Sequence, residues 1–455
     1  MPSKTMATPR APSQTTDPPK PLSDAYRAVW RWHFYAGLLV MPFLMLLALT
    51  GGLYLFKDEI DQAVYRPMIQ VDSSEAETPP EAWVAAAQKI GGGRAASILM
   101  PEHASQAVRI RVDRDDGDQR TVFVDPHTAR VTGVTAYGGV METIKRLHSL
   151  SLFGTAMNLI VEVVAGWTII LVATGVFLWW PRKRPVGVVS IRATEPARRP
   201  FWRDLHAVTG LYAGGVILFL AVTGMPWSAV WGEQVMGALK TTGLGRPPAP
   251  VAGAWQRAEH QDHPTGAGWT MEGMVMPAPP SDATRLSRVI ASVESRDLPR
   301  PYAVSIPRDD ALAYTVTAQV RRVEDSRSLY VDGTSGAVLA DIGYRQFGAG
   351  AKAVEWGIYV HQGTQFGWTN RILMLSGCIA VWLLAISGFV MWWKRRPKGR
   401  LAAPVVPPGP RVRAAILGIV LPLAILYPLT GVSLIVVLLL DRAVRAMRRP
   451  PAAAF

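Results

Sequence analysis

Long apolar blocks, separated by polar stretches of ordinary globular composition, constrain this chain more than any other feature. A run of about 20 apolar residues forms a helix long enough to cross the ~30 Å hydrocarbon core of a bilayer. Such a helix satisfies its own backbone hydrogen bonds in lipid. We therefore predict a membrane α-helical protein with spans over residues 27–57, 148–181, 205–229 and 361–393.

A fifth apolar block covers residues 413–440 and carries Pro422 and Pro428. Proline removes a backbone donor and clashes with the preceding turn, so this block is predicted to be kinked or broken. A complete fifth span would export the tail 441–455, although its arginines favour the opposite side. The sequence leaves open whether this block is a fifth span or a re-entrant segment.

Basic residues cluster beside the apolar blocks, on one side of the predicted spans. They lie in the N-terminal tail 1–26, which is polar and predicted to be disordered, and in the loops 182–204 and 394–412. The positive-inside rule makes these segments cytoplasmic and places the long segments 58–147 and 230–360 outside. The net charge of +14 has the same explanation, so we expect no nucleic acid partner.

The chain contains one cysteine, Cys378, inside an apolar block. A single cysteine excludes disulfides within the chain, cysteine-rich zinc sites, iron–sulfur clusters and covalent C-x-x-C-H attachment of haem. The sequence also lacks a Rossmann or flavin fingerprint, so the chain does not draw on a nicotinamide or flavin by itself.

Four histidines hold the same register in two similar halves of the chain. His33 precedes Thr50-Gly51 at the spacing with which His206 precedes Thr223-Gly224. The matched residues of the second spans are His148, Phe153-Gly154, Gly175 and Trp179-Trp180 in one half, and His361, Phe366-Gly367, Gly388 and Trp392-Trp393 in the other.

Two like halves in the same orientation pack about a pseudo-twofold axis along the membrane normal. Equivalent residues then face each other across a four-helix core. We predict that His33 faces His206 near the cytoplasmic surface, and that His148 faces His361 near the external surface.

The external segments repeat as well, since each contains an amphipathic helix followed by short β-rich runs. The helices are predicted near 79–90 and 282–294. The strands are predicted near 95–100, 107–113, 120–125 and 130–134, and near 301–306, 311–319, 327–332 and 337–341. We therefore predict one small α+β domain in each half, with room for only a modest core.

Paired histidines at the ends of spans favour a function, because ionisable side chains near lipid are costly. An interfacial histidine can also simply cap a helix or bind a headgroup. Zinc needs three or four protein ligands, and two histidines per level do not complete such a site. Haem iron needs only two axial ligands, and helix bundles build cofactor sites from facing side chains. Small glycines nearby would admit a flat macrocycle or a neighbouring helix.

Other charged residues near the spans are weaker candidates. Arg31, Arg203, Lys145 and Lys352 lie within a few residues of the histidines and could pair haem propionates, although topology also explains flanking cations. Glu162, in the outer part of the second span, is a candidate proton relay or a carboxylate that reaches the interface.

With these motifs, the chain resembles the PepSY-associated transmembrane family of bacterial inner-membrane proteins over residues 25–397. Members are often iron-regulated, and some are di-haem ferric-siderophore reductases. The resemblance implies a four-helix di-haem core with two external PepSY-like domains. It implies two b-type haems, one bound by His33 and His206 on the cytoplasmic side and one by His148 and His361 on the periplasmic side.

The resemblance also implies a direction of electron transfer. Electrons would pass from a cytoplasmic donor to a periplasmic ferric siderophore or another acceptor, in a multi-pass inner-membrane protein whose N-terminus is cytoplasmic. An electron conduit fits the missing nicotinamide and flavin fingerprints. Reduction of Fe(III) would release iron, because hard oxygen ligands hold the smaller and more highly charged ion more tightly.

Two other functions remain open from the sequence. The external domains could bind a peptide or protease while the spans only anchor them, in which case the four histidines would be dispensable. Parallel repeats also build transporters. The first four spans carry few polar residues and no evident break, which argues against a transport path.

Overall fold

The fold is described from a computed structural model, which covers residues 24–181, 188–249, 285–308, 312–396, 418, 421–422 and 424–447. The predictions for residues 1–23, for 182–187 and for most of the loop 394–412 fall outside the described residues. The helices, numbered in chain order, are α1 (Asp24–Tyr54), α2 (Lys57–Ile69), α3 (Pro80–Gly91), α4 (Gly139–His148), α5 (Thr155–Trp179), α6 (Arg199–Gly224), α7 (Trp231–Thr241), α8 (Arg285–Glu294), α9 (Ala349–His361), α10 (Gly367–Trp393) and α11 (Pro428–Met447).

Four of these helices, α1, α5, α6 and α10, are long and apolar enough to cross a membrane, with a short 3₁₀ turn extending α6 to Trp227. The predicted membrane α-helical class is thereby confirmed. Each half contributes one adjacent pair: α1 packs on α5, and α6 packs on α10. The pairs join because α1 also packs on α10, and α5 on α6. Most apolar side chains of these helices point away from the protein, as contact with lipid requires.

Short helices carry two of the repeat histidines outside the spanning helices themselves. His148 is the last residue of α4, and His361 is the last residue of α9. Residues in the left-handed region interrupt the chain after each histidine, at Leu150 and Gly154 in one half and at Gly363 and Gly367 in the other. The two histidines therefore reach the end of the bundle from the short helices α4 and α9. Each spanning helix begins after its histidine.

The strands are β1 (Arg94–Met100), β2 (Val108–Asp113), β3 (Gln119–Val124), β4 (Val131–Ala136), β5 (Tyr302–Ser305), β6 (Tyr314–Ala318), β7 (Arg327–Val331) and β8 (Val338–Gly343). They lie within a few residues of the predicted runs. Instead of two separate sheets, they form one antiparallel sheet in the order β4-β3-β2-β1-β5-β6-β7-β8. The seam is the β1–β5 ladder, in which Ser97 pairs with Ser305 and Leu99 with Ala303.

One hydrophobic core spans both halves of this sheet. Alternate side chains of the strands point to one face, where α3 and α8 cover them. Trp83 of α3 and Val289 of α8 are buried in this shared core, with Ile98 and Val304 beneath them. The two amphipathic helices thus bury more apolar surface together than either half could bury alone.

The C-terminal helix α11 packs lengthwise along α5. Thr430 meets Gly166, and the indole nitrogen of Trp167 donates to the Ser433 hydroxyl at 2.9 Å. Immediately before α11, Tyr427 lies against Trp231, whose backbone N–H binds Glu162, earlier along α5. The contacts thus advance in the same direction along both helices, so α11 runs parallel to α5. The end of α11 therefore lies at the end of the bundle where α5 finishes, far from the sheet. This geometry favours the re-entrant alternative for the fifth block.

Glu162 is fully buried in α5 and does not reach an interface. Its Oε2 accepts hydrogen bonds from the backbone N–H groups of Val230 and Trp231, both at 3.1 Å. A carboxylate at this position satisfies the first free donors of α7 and complements the helix dipole. Glu162 therefore ties α5 of the first half to the start of α7 in the second.

Candidate metal centres

Each repeat histidine docks on the neighbouring spanning helix of its own half through a hydroxyl group. Nδ1 of His33 lies 2.9 Å from Oγ1 of Thr174, and Nδ1 of His148 lies 3.0 Å from Oγ1 of Thr50. The second half repeats the arrangement, with Nδ1 of His361 at 2.9 Å from Thr223 and Nδ1 of His206 at 3.0 Å from Ser387. Four equivalent contacts therefore fix the four rings.

The hydrogen bonds around these hydroxyls determine which ring nitrogen carries the proton. Thr174 Oγ1 lies 2.7 Å from the Ile170 carbonyl, to which it donates its only proton. With its proton directed to that carbonyl, the same hydroxyl would accept from Nδ1–H of His33. The other hydroxyls also donate to carbonyls one turn earlier: Thr50 to Leu46, Thr223 to Phe219 and Ser387 to Leu383.

His206 provides an independent check of this assignment. Its Nδ1 also lies 3.1 Å from the carbonyl oxygen of Leu384, a group that can only accept. Nδ1 of His206 is therefore the donor. The same assignment in the other three rings leaves the lone pair on Nε2, which is the tautomer that a histidine needs to bind a metal through Nε2.

A glycine follows each of the four hydroxyl residues and makes room for the ring. A Cβ atom on Gly51 would lie 3.1 Å from Cε1 of His148, and a Cβ on Gly175 would lie 3.4 Å from Cε1 of His33. Gly224 and Gly388 adjoin His361 and His206 in the same way, at 3.6 Å. Each Thr-Gly or Ser-Gly pair thus forms a seat, with a hydroxyl that orients the ring and a glycine notch beside it; only at Gly51 would an added Cβ crowd the ring.

The seated rings of opposite halves meet in two pairs. The ring centroids of His33 and His206 are 6.3 Å apart, with the ring planes at 87°. His148 and His361 lie close enough to interact electrostatically, and the Trp227 ring packs edge-on against His361 at 5.7 Å. The structure therefore brings together the two histidine pairs that the repeat predicted.

The two pairs lie at opposite ends of the bundle. In α1, seventeen residues separate His33 from Thr50, the seat of His148, and α6 has the same spacing between His206 and Thr223. A helix rises ~1.5 Å per residue, so the two levels are about 25 Å apart. This separation approaches the thickness of the hydrocarbon core.

The donor set at each level suits a group that needs two protein ligands. The ring centroids of His33 and His206, 6.3 Å apart, are near enough for both rings to hold one such group. Within the described ranges, no cluster of three or more His, Cys, Asp or Glu side chains is placed to hold a bare metal ion. Two neutral imidazoles with free Nε2 lone pairs fit the axial positions of haem iron.

The cations predicted near the histidines have other partners. Arg203 pairs with Asp204 at 2.8 Å, and Lys145 pairs with Glu142 at 2.5 Å. Lys352 donates to the Arg345 carbonyl, and Arg31 lies over the Tyr35 ring. These contacts give no specific support to a role in pairing propionates.

Sequence reasoning missed two residues of the seats, Thr174 and Ser387. The glycines that follow them were recognised in the repeat, but the preceding residues differ between halves. The available signal was chemical, since a hydroxyl residue stands before each of the four glycines that adjoin a histidine.

The chain matches a family of known proteins. A family model described as "PepSY-associated TM region" matches residues 30–395, which include both histidine pairs and the whole sheet. No curated protein sequence matches the chain.

Proposed function

Because the chain belongs to the PepSY-associated TM family, with the model covering residues 30–395, we propose that it is an inner-membrane b-type di-haem electron conduit that reduces periplasmic ferric siderophores to release iron. The observation that carries the proposal is the protonation pattern of His33, His148, His206 and His361. Each ring has Nδ1 within 3.0 Å of a hydroxyl whose own proton can go to a carbonyl one turn earlier, and this arrangement favours Nε2 as the ligand atom.

In this proposal His33 and His206 would hold one haem at the end of the bundle remote from the sheet, and His148 and His361 would hold the other near the sheet. A haem bound at each pair would supply one-electron redox chemistry. The protein residues fix the rings, exclude alternative tautomers and keep the Nδ1 protons on the hydroxyl side. Hydrogen bonding at Nδ1 raises the basicity of a ligating imidazole, which makes it a better ligand.

Membrane placement in the proposal follows the basic segments. The far end of the bundle is cytoplasmic and would meet an electron donor, whereas the sheet is periplasmic and would meet the acceptor. The parallel course of α11 and α5 supports this orientation, since it brings the arginines at the C-terminus to the cytoplasmic side.

The test is a visible spectrum of the purified chain, oxidised and dithionite-reduced, with a pyridine haemochrome count. We expect two b-type haems per chain and sharp six-coordinate bands in the reduced state. His33→Ala and His148→Ala should each remove or alter one haem. His127→Ala is the control, because His127 lies outside the pairs and contacts the Ala104 carbonyl. A chain produced with ample haem that shows no Soret band would refute the proposal.

A further inference from the structure

Three arginines surround one aspartate at the seam of the sheet. Nε of Arg111 lies 3.4 Å from Oδ1 of Asp113, and Nη2 of Arg308 lies 3.2 Å from its Oδ2. Arg94 stands directly opposite Asp113 in the β1–β2 ladder and donates to the Pro307 carbonyl. We call Arg94, Arg111, Arg308 and Asp113 the seam cluster.

The seam cluster itself holds three guanidinium groups and one carboxylate, whereas Asp116 and Asp118 of the next turn pair with Arg114 and Arg120. Asp113 accepts hydrogen bonds from the side chains of Arg308 and Gln119, both at 3.2 Å, and Arg111 approaches it only as an ion pair. Burial, followed by repulsion from Arg308, lowers the pKa of Arg94. Nε of Arg111 is shielded from solvent and makes no hydrogen bond to the described part of the chain, despite its nearness to Asp113. An added anion would relieve this imbalance.

The strand register shows which face of the sheet carries the cluster. Arg111 and Asp113 alternate with Val112, which is buried in the core beneath α3 and α8. Their side chains therefore point to the opposite face. On that face, Arg111 is paired with Ser97, and Ser97 with Ser305. Two hydroxyl groups thus adjoin the guanidinium groups on a face where these residues are only half-buried.

The same face adjoins the helix that ends in His361. The paired residues on successive strands form a row across this face, which runs from Arg111 through Ser305 and Thr315 to Tyr330. Tyr330 interacts electrostatically with Arg246, which pairs with Glu355 of α9 at 2.6 Å. The seam cluster therefore shares its face of the sheet with Tyr330, which lies near α9, the helix that ends in His361.

We propose that the seam cluster binds the anionic groups of the electron acceptor, and that this acceptor is a net-anionic, carboxylate-bearing ferric chelate. The inference rests on the proposed function and specifies its substrate class. Guanidinium groups bind carboxylates through paired, charge-assisted hydrogen bonds, and the serine hydroxyls add neutral donors. In the reduction, one electron from the cytoplasmic donor converts the chelated Fe(III) to Fe(II), and no proton is required at the cluster.

Binding can be tested without electron transfer by using gallium(III), which replaces Fe(III) but is not reduced under these conditions. The probes are gallium(III) citrate, which is anionic, and a gallium(III) trihydroxamate without net negative charge. Isothermal titration of the haem-loaded full chain should show tighter binding of the citrate complex. This affinity should weaken as salt is added, because it depends on charge.

Arg111→Gln is the informative variant, since it leaves the contacts of Arg308 and Arg94 across the seam in place. We expect it to weaken binding of gallium(III) citrate about tenfold or more. Arg111→Lys should have an intermediate effect, because it retains the charge but loses the planar fork. Arg120→Gln is the matched control, since Arg120 lies in the same sheet and pairs with the exposed Asp118.

Equal binding of the two gallium complexes, or unchanged binding in Arg111→Gln, would overturn the inference. The haem spectrum separates this outcome from failure of the proposed function. A chain with two haems that binds neither complex retains the conduit and loses the acceptor site. A chain that binds gallium(III) citrate but contains no haem retains the anion site and loses the conduit.

Discussion

The hydroxyl of Thr174 lies 2.9 Å from Nδ1 of His33 and donates its own proton to the Ile170 carbonyl. One threonine thus sets both the orientation and the tautomer of a histidine on the neighbouring helix. Removal of such a partner from a metal ligand lowers metal affinity by roughly 10–100-fold.

We expect Thr174→Val to weaken haem binding at the His33–His206 pair by about this factor, because valine retains the shape of threonine and loses the acceptor. Transfer of haem to apomyoglobin would measure the loss. Thr168→Val is the control. Thr168 lies on the same helix, is 4% exposed and donates to the Val164 carbonyl at 2.7 Å, with no hydrogen bond to a histidine among the described residues. Equal haem loss from both variants would contradict the prediction.

Gly51→Ala should disturb the His148–His361 pair. The new methyl group would lie 3.1 Å from Cε1 of His148, next to the Nδ1 atom that the adjacent Thr50 holds. We expect a shifted low-spin ferric signal in the electron paramagnetic resonance spectrum from one haem only. Gly215→Ala on α6 serves as the control, because no atom lies within 4 Å of the added group. An unchanged spectrum in Gly51→Ala would show that the notch is not needed to seat the ring.

The sheet should lose stability in Asp341→Asn at neutral pH. The hydrogen bonds from Arg327, at 2.9 and 2.6 Å, lower the pKa of the Asp341 carboxyl. This pair therefore stabilises the fold above the ordinary aspartate pKa of ~3.9, and the contribution is lost as pH falls through the lowered value. We expect a loss of about 1 kcal/mol at pH 7 that shrinks at acidic pH. Thermal unfolding at several pH values measures this loss of stability, with Asp118→Asn as the control. A loss that does not change with pH would argue against the ion pair.

Gly166→Ala should detach α11 from α5. A Cβ at this position would lie 1.9 Å from Oγ1 of Thr430, so one of the two helices must move. Protease sensitivity of a C-terminal tag should therefore rise. Haem content should stay at two per chain, because α11 lies beyond the residues that the family model matches. A tag that remains protected would show that α11 is held elsewhere.

The parallel packing of α11 on α5 also predicts the location of the C-terminus. We expect a C-terminal green fluorescent protein fusion to fluoresce and a C-terminal alkaline phosphatase fusion to be inactive, since the C-terminus would be cytoplasmic. The opposite pair of results would require α11 to cross the membrane in the other direction.

The four spans were predictable because each is a long apolar stretch. Both histidine pairs were predictable because the two halves of the chain repeat the same spacing. The strands were also predictable, since their alternation reflects one buried face. The pairing of β1 with β5 was not predictable, because the alternation of side chains along a strand does not specify which edge strands pair with each other. The contacts of Thr174 and Ser387 with histidine rings were not predictable for a related reason. They form between neighbouring helices, and the sequence does not specify which residues of two helices meet.

The shared sheet has a consequence for biogenesis. During synthesis, β1 emerges long before β5 exists, and the nascent first half carries an unpaired edge strand throughout that interval. Exposed edges are templates for pairing with other chains. Arg94, at the start of β1, is the only charged residue of this strand and discourages such pairing only in part. The first half therefore keeps an unpaired edge until the second half is made, and the sheet is complete only when β5 pairs with β1.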